Sequence, residues 1–418
     1  MVTARGMVRA SSGYGLSVIT GGIISILVIP TVIIVAGTST WATIAVAQGV
    51  AGFGVVLVGA GWGVTGPTET AAMPAGERAQ FYIDSLVSRM WLFLVVGIVC
   101  TGLTLLLVKD QPAVAILALI AALVPGLSAG WFFVGESSAL RFLFLETLSR
   151  QVGSLLGAVL LFATGNALWF VGLQLAGGVF ATVASSASIL RRYHGWVVDP
   201  SLVRAITRMR EHIPAVSMSA VSTLYVNLPI VVVQIFLPGL TALYALAERI
   251  MRLALYATRP YVQVAQGYVP NADPVVQWRR ARRITRLTIF LGLLGGALYA
   301  VATPWVGSLL SGGQLHIDWA ISISLGVALA AMLISQVTGF AVLTTFKLTK
   351  ALAWSTVAGA VVGVIALIPA ALVIGVAGVT SVLALSEVVV LVYQLLVLRR
   401  PLGADALGSE RKLDSDTA

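Results

Sequence analysis

Long apolar stretches separated by short polar segments dominate the chain. A helix needs about 20 mostly apolar residues to cross the hydrocarbon core of a bilayer. Twelve stretches have about this length, which predicts twelve transmembrane helices, spans 1 to 12. In chain order they are residues 14–36, 41–62, 86–108, 112–134, 146–164, 168–190, 213–236, 241–263, 286–310, 318–342, 351–374 and 376–398. The pattern predicts an all-α polytopic membrane protein.

Composition supports this fold class. Of the 418 residues, 58% are hydrophobic and only 10% are charged, whereas soluble domains have about 25% charged residues. The net charge of +10 would also suit a nucleic-acid partner, but most of the basic residues lie in short segments between spans. Their positions follow the positive-inside rule, so we expect no nucleic acid to bind.

Charge placement predicts the orientation in the membrane. If the N-terminus is cytoplasmic, the basic clusters at 191–210 and 279–286 both lie inside, and Lys109 is the one basic residue of the outside loops. A wrong helix count would disrupt this alternation. Twelve spans with both termini in the cytoplasm are therefore predicted.

The two halves of the chain show weak self-similarity. Residues 45–50 (AVAQGV) match residues 245–250 (ALAERI), and Pro30 in span 1 corresponds to Pro229 in span 7. Matches near one offset favour a six-plus-six duplication. Because both halves run from inside to inside, the repeat is parallel, with a pseudo-two-fold axis along the membrane normal.

This duplication predicts two six-helix bundles, residues 1–200 and 201–400, followed by a disordered cytoplasmic tail at 401–418. Two such bundles are typical of a transporter that rocks around a cavity between them. The polar tail with few aromatic residues is typical of disorder.

Span 8 has charge where charge is costly. Glu248, Arg249, Arg252, Tyr256 and Arg259 share an arc of about 100° on one helix face. Each charged side chain facing lipid at mid-bilayer costs about 2.5–3.5 kcal/mol. Glu248 and Arg252 are spaced i,i+4 in the order that favours an ion pair, yet one carboxylate cannot neutralise all three arginines.

We therefore predict that this face is the cationic wall of a cavity for an anionic substrate. In the alternative interpretation, the charges only pair with one another and extend from the helix ends to the membrane surface.

Other polar residues within the spans are further candidates. Gln48 and Asn227 are predicted to line the same cavity, with helix–helix hydrogen bonding as the alternative. Glu387 in span 12 has no charged neighbour in sequence, so it is protonated, pairs with an arginine of another helix, or couples transport to an ion. Arg89 and Arg286 are interpreted as anchors at the cytoplasmic membrane surface, with a basic vestibule for phosphate as the alternative.

Catalytic and metal-binding motifs are scarce. The sequence has no phosphate-binding loop, no metal-ligand spacing and no paired acidic motif. His194, His212 and His316 lie far apart in sequence. We expect a protein that is not an enzyme and that has no metal or cofactor.

Three stretches resemble a known transporter family. Residues 41–67 (WATIAVAQGVAGFGVVLVGAGWGVTGP), 131–157 (WFFVGESSALRFLFLETLSRQVGSLLG) and 224–252 (LYVNLPIVVVQIFLPGLTALYALAERIMR) are similar to Wzx-type flippases of lipid-linked oligosaccharides. These polysaccharide transporters share the MOP superfamily with MATE exporters and lipid II flippases. Span 1 lacks the Arg-Asp pair of lipid II flippases, which favours the oligosaccharide branch.

The resemblance implies a MATE/MOP-like fold and a flippase in the bacterial inner (plasma) membrane. Such a flippase moves an undecaprenyl-diphosphate-linked oligosaccharide from the inner to the outer leaflet by alternating access. Its partners would be membrane lipids, a polymerase and other polysaccharide-assembly proteins.

On this interpretation Arg249 and Arg252 hold the diphosphate and Arg259 meets it first. Glu248 adjusts the affinity for the diphosphate by pairing with Arg252, or it carries a coupling proton. Two alternatives are a MATE-like antiporter for drugs or cations and a membrane glycosyltransferase or polymerase of the same pathway. The excess of arginine disfavours the first, and the missing acidic motif disfavours the second.

Overall fold

The computed structural model describes residues 21–22, 24–201, 206, 223 and 226–415, with side chains up to residue 399. Every regular element in these parts of the chain is a helix. In chain order the helices are α1 (Ile24–Ala36), α2 (Thr38–Gly59), α3 (Trp62–Ala72), α4 (Arg78–Leu107), α5 (Pro112–Leu123), α6 (Gly130–Gly135), α7 (Ala139–Thr164), α8 (Ala167–Arg192), α9 (Val226–Phe236), α10 (Thr241–Ala257), α11 (Arg259–Tyr268), α12 (Pro274–Leu310), α13 (Trp319–Leu343), α14 (Thr349–Ile374) and α15 (Val376–Ser415).

The multi-pass membrane protein predicted from the sequence is confirmed. Within the described ranges, nine helical segments are long and apolar enough to cross a membrane. Two of these segments combine a pair of consecutive helices, α2 and α3 in one and α5 and α6 in the other. The other seven are single helices: α4, α7, α8, α12, α13, α14 and α15. The lipid core provides no hydrogen-bond partners for backbone N–H and C=O groups, and a helix pairs these groups with one another.

The predicted count of twelve spans is not confirmed. Spans 1 and 7 lie partly outside the described residues, and only their ends appear, as α1 and α9. Span 8 is divided into α10 and α11. Helix α15 continues to Ser415 into the tail for which disorder is predicted, and that tail's side chains lie outside the described part.

The chain forms two compact units. The first comprises residues 1–245 with 309–315, and the second comprises 246–308 with 316–418. The chain passes from the first unit to the second inside α10, between Ala245 and Leu246. The predicted duplication at residues 1–200 and 201–400, with its pseudo-two-fold axis, stays a prediction.

An aromatic cluster organises one end of the first unit. Trp62, the first residue of α3, lies with its ring centroid 5.3 Å from that of Trp131 in α6. Tyr82 and Phe132 pack beside them, edge to face and 5.5 Å apart, and all four side chains are buried. Buried aromatic pairs of this kind add about 0.5–1.5 kcal/mol each beyond area burial. The cluster ties α3, α4 and α6 together around the cavity considered below.

In the second unit, α12 and α13 approach each other through two glycines. A Cβ atom at Gly296 would overlap the carbonyl oxygen of Gly326, and one at Gly326 would overlap the carbonyl oxygen of Gly296. Small residues permit this close approach of membrane helices, which gains packing where lipid provides no hydrophobic drive.

Gly296→Ala is therefore expected to destabilise the protein by about 1–3 kcal/mol, because the added methyl group meets backbone that cannot rotate away. A lower thermal unfolding temperature in detergent would show it. Gly295→Ala is the matched control, since a Cβ atom there meets nothing within 4 Å. Equal unfolding temperatures for the two variants would contradict the prediction.

Candidate substrate-binding site

Helix α10 holds the charged face predicted for span 8. The helix is shorter than predicted, because it ends at Ala257 and a new helix begins at Arg259. Pro260, near the start of α11, has no backbone N–H and disfavours helical geometry in the residue before it. With 17 residues, α10 is about 25 Å long, short of the roughly 30 Å hydrocarbon core.

The predicted i,i+4 ion pair is present on α10. Arg252 donates from Nε to Glu248 Oε1 at 2.8 Å, and its Nη2 donates to the same oxygen. The Glu248 side chain is 13% exposed and that of Arg252 is 27% exposed. A partly sheltered pair interacts more strongly than one fully in water, so Glu248 holds this guanidinium in place.

Arg249 lies next to this pair without an acidic partner. Its Nε is buried and donates no hydrogen bond to any group that the structure describes, and Arg249 makes no ion pair in the same part of the chain. A buried donor without a partner costs about 1–3 kcal/mol, and more when it is charged. Arg249 is thus the cation of this face that is suited to take an anion.

The last two residues of the predicted face form a stacked pair across the helix break. The Arg259 guanidinium carbon lies 4.3 Å from the centroid of the Tyr256 ring, and both residues are exposed. Stacking at an exposed site contributes about 0.5–1 kcal/mol. Tyr256 thereby positions Arg259 despite the break at Thr258.

The polar residues predicted to share this site belong to the first unit, whereas Glu248 to Arg259 belong to the second. Asn227 of α9 is buried and donates from Nδ2 to the Thr223 carbonyl at 2.9 Å. It packs on Gly52 of α2, where a Cβ atom would lie 2.8 Å from the amide group. Gln48, one turn earlier on α2, is partly buried. Their part in substrate binding stays a prediction.

Glu387 lies within α15 and is partly buried. No hydrogen bond or ion pair reaches its carboxylate from the described part of the chain. The arginine partner on another helix, one of the three alternatives, is therefore not found in that part, while a protonated carboxyl group and ion coupling both stay predictions.

The sequence pattern missed a buried charge network in the first unit. Arg89 is 1% exposed, so its guanidinium is enclosed by protein and its interpretation as an anchor exposed at the membrane surface is wrong. Its Nη1 donates to the carbonyl oxygens of Ser128 at 2.8 Å and Gly126 at 3.3 Å. Arg286, treated as equivalent in sequence, is exposed on α12.

Glu146 of α7 is the acidic member of this network and is also 1% exposed. It accepts hydrogen bonds from Ser128 Oγ at 2.7 Å, the Ala129 backbone N–H at 2.9 Å and Arg150 Nη2 at 2.6 Å. An acidic residue inside a predicted apolar span needs partners. The position of Glu146 in an apolar span was therefore the sequence signal that could have led to this network.

Comparisons with known proteins address the fold. No protein-family profile and no curated protein sequence matches the chain. Among solved structures, the lipid II flippase MurJ in an inward closed conformation matches with a TM-score of 0.73 and 12% identity, over 94% of this chain and 87% of that one. An inward-facing MATE family transporter of the MOP superfamily matches with a TM-score of 0.59 and 14% identity, over 92% of this chain and 98% of that one.

The chain has the MOP superfamily fold. The eukaryotic MATE transporter AtDTX14 also matches, with a TM-score of 0.53 and 16% identity over 94% of this chain and 96% of that one. At these identities the likeness concerns the fold alone. The predicted MATE/MOP-like fold is thus confirmed, and function must be argued from the residues on it.

Proposed function

We propose that this protein is a flippase for an undecaprenyl-diphosphate-linked oligosaccharide, which it moves from the inner to the outer leaflet of a bacterial plasma membrane. The observation that carries the proposal is the cationic face of α10 and α11, which has three arginines, Arg249, Arg252 and Arg259, and one carboxylate, Glu248, bound to Arg252. This chain has the same fold as MurJ, which is named a lipid II flippase. That likeness supports a lipid-linked substrate.

The chemistry of the face suits a diphosphate. Guanidinium groups present planar pairs of N–H donors that match phosphate oxygens, and such charge-assisted bonds are about twice as strong as neutral ones. Arg249 offers an unpaired Nε, and the diphosphate competes with Glu248 for Arg252. That competition keeps binding reversible, as a transporter requires, because Glu248 takes the guanidinium back on release.

The remaining steps of the proposal follow the family resemblance. Arg259, stacked on Tyr256, meets the diphosphate first, and the polyprenyl tail stays among membrane lipids. Gln48 and Asn227 contact the sugars, and alternating access exposes the headgroup to one leaflet and then the other. Both termini face the cytoplasm, and a polymerase and other assembly proteins receive the product.

Reconstitution into vesicles tests this function. A fluorescent undecaprenyl-diphosphate oligosaccharide is placed in both leaflets, and a membrane-impermeant quencher reports the headgroups that reach the outside. We expect protein-dependent exchange of this lipid, with lipid II as a second substrate to compare. Exchange of a cationic dye without exchange of either lipid would overturn the proposal in favour of a MATE-like exporter.

Glu387 provides a separate prediction on coupling. We propose that it carries the coupling proton, because no partner in the described part of the chain holds its charge. Glu387→Gln is expected to abolish the acceleration of exchange by an imposed pH gradient and to leave the rate without a gradient within about twofold. A pH-gradient response equal to the wild type would contradict this role, and Glu77→Gln, at an exposed position, is the control.

A further inference from the structure

A cavity lies wholly within the first unit, between α2, α3, α4 and the turn before α6. Its volume is about 460 Å³, in the range of small-molecule sites, which is about 300–1,000 Å³. Gly59, Gly61 and Gly63 line one wall, and a Cβ atom at Gly59 or Gly63 would meet nothing within 4 Å. That wall is an open groove. Val64 and Val134 at its rim are exposed, so the rim is apolar.

One cation borders this apolar groove. Arg89 lines the cavity and lies over the Trp131 ring, 5.7 Å from the ring centroid. Its Nη1 is occupied by two backbone carbonyl oxygens. Its Nη2 is buried and has no hydrogen-bond partner in the part of the chain that the structure describes.

The surrounding charges leave Arg89 without a counter-ion. Glu146 is the nearby acid, but its oxygens are already used by Arg150, Ser128 and the Ala129 N–H. No ion pair of Arg89 occurs among the described residues. Two arginines and one glutamate give the cluster one excess positive charge, and an uncompensated buried charge is strongly unfavourable. The arrangement suits a ligand that supplies the missing negative charge.

We propose that this cavity binds an anionic membrane phospholipid, with its phosphate on Arg89 Nη2 and an acyl chain along the glycine groove. The phosphate supplies the counter-charge and accepts a hydrogen bond from Arg89 Nη2. The acyl chain covers Val64, Val134 and the bare backbone of the groove. The site uses none of the residues of the α10 face and stands whether or not that face binds a diphosphate.

Native mass spectrometry of the purified full chain tests this site. We expect wild-type protein to retain one tightly bound phosphatidylglycerol. Phosphatidylcholine should displace it at least tenfold less well than unlabelled phosphatidylglycerol does, because the choline group cancels the phosphate charge and only phosphatidylglycerol has a net negative charge for Arg89. Inorganic phosphate at millimolar concentration is expected not to displace it. Displacement by phosphate, or equal displacement by the two lipids, would overturn the proposal.

Two variants locate the lipid. Arg89→Gln is expected to lose this one phosphatidylglycerol, but it also removes the bonds to Ser128 and Gly126. Gly63→Leu fills the groove and leaves every contact of Arg89 in place, so it is expected to lose the lipid while the unfolding temperature of lipid-free protein is unchanged. Gly102→Leu on α4 is the control, because a Cβ atom there also meets nothing within 4 Å. This variant is expected to retain the bound phosphatidylglycerol. Retention of the lipid by folded Gly63→Leu would refute the site.

Discussion

Arg252→Ala is expected to lower the rate of lipid-linked oligosaccharide exchange by about 10- to 100-fold, while the protein still folds. The change removes the charge-assisted hydrogen bonds that we propose Arg252 makes to the diphosphate, worth about 1.5–3 kcal/mol in total, and each 1.4 kcal/mol is a tenfold effect. Arg252→Lys is expected to be intermediate, because it keeps the charge and loses the planar pair of donors. The vesicle exchange assay measures all three proteins.

Matched variants separate substrate binding from loss of the ion pair. Arg286→Ala removes the same charge from an exposed position of the second unit and is expected to exchange lipid at the wild-type rate. In Glu248→Gln/Arg252→Ala neither partner of the pair is left charged. If that double variant regained the wild-type rate, Arg252 would serve only to neutralise Glu248, and the proposed role would fail. An unchanged rate in Arg252→Ala alone would remove α10 from the mechanism.

Glu146→Ala is expected to cost about 3–5 kcal/mol of stability, the usual penalty for removing one partner of a buried ion pair. The substitution leaves Arg150, Ser128 and the Ala129 N–H without their acceptor and removes the carboxylate that binds the same Ser128 as Arg89 does. Folded yield by fluorescence-detected size exclusion should drop sharply, with a lower unfolding temperature for what remains. Glu146→Gln keeps one acceptor oxygen and should lie between.

The control for this prediction is Glu77→Ala. Glu77 is exposed at the start of α4, and its side chain makes no capping hydrogen bond, so its removal should change stability by less than about 0.5 kcal/mol. If Glu146→Ala had the same unfolding temperature as Glu77→Ala, the buried network would contribute nothing to the fold.

The length of the apolar stretches was sufficient to predict most of the helices. Predicted span 4, residues 112–134, corresponds to α5 and α6, and span 11, residues 351–374, corresponds to α14. Such predictions succeed because a chain in lipid must satisfy its own backbone hydrogen bonds over a known thickness. Span 8 differed, since Pro260 broke the helix at a place where the apolar pattern continued.

Charge was harder to assign than hydrophobicity. Helical spacing sufficed to predict the pair of Glu248 and Arg252, because residues four apart are neighbours on any helix. It was not sufficient for Arg89 and Arg286, which look alike in sequence, because burial depends on what other helices bring to the same place. The carbonyl oxygens of Gly126 and Ser128 bind Arg89, and Glu146 binds the hydroxyl group of the same Ser128. These groups come from distant parts of the chain.

The amino-acid sequence by itself determined that this is a multi-pass helical membrane protein and that one helix carries an excess of arginine, since both follow from composition and local spacing. Only the tertiary structure decided which of the other cations lack a counter-charge: Arg249 and Arg89 have none among the described residues. The physical reason is that neutralisation requires contact within a few ångströms, and contacts across the chain are created by folding.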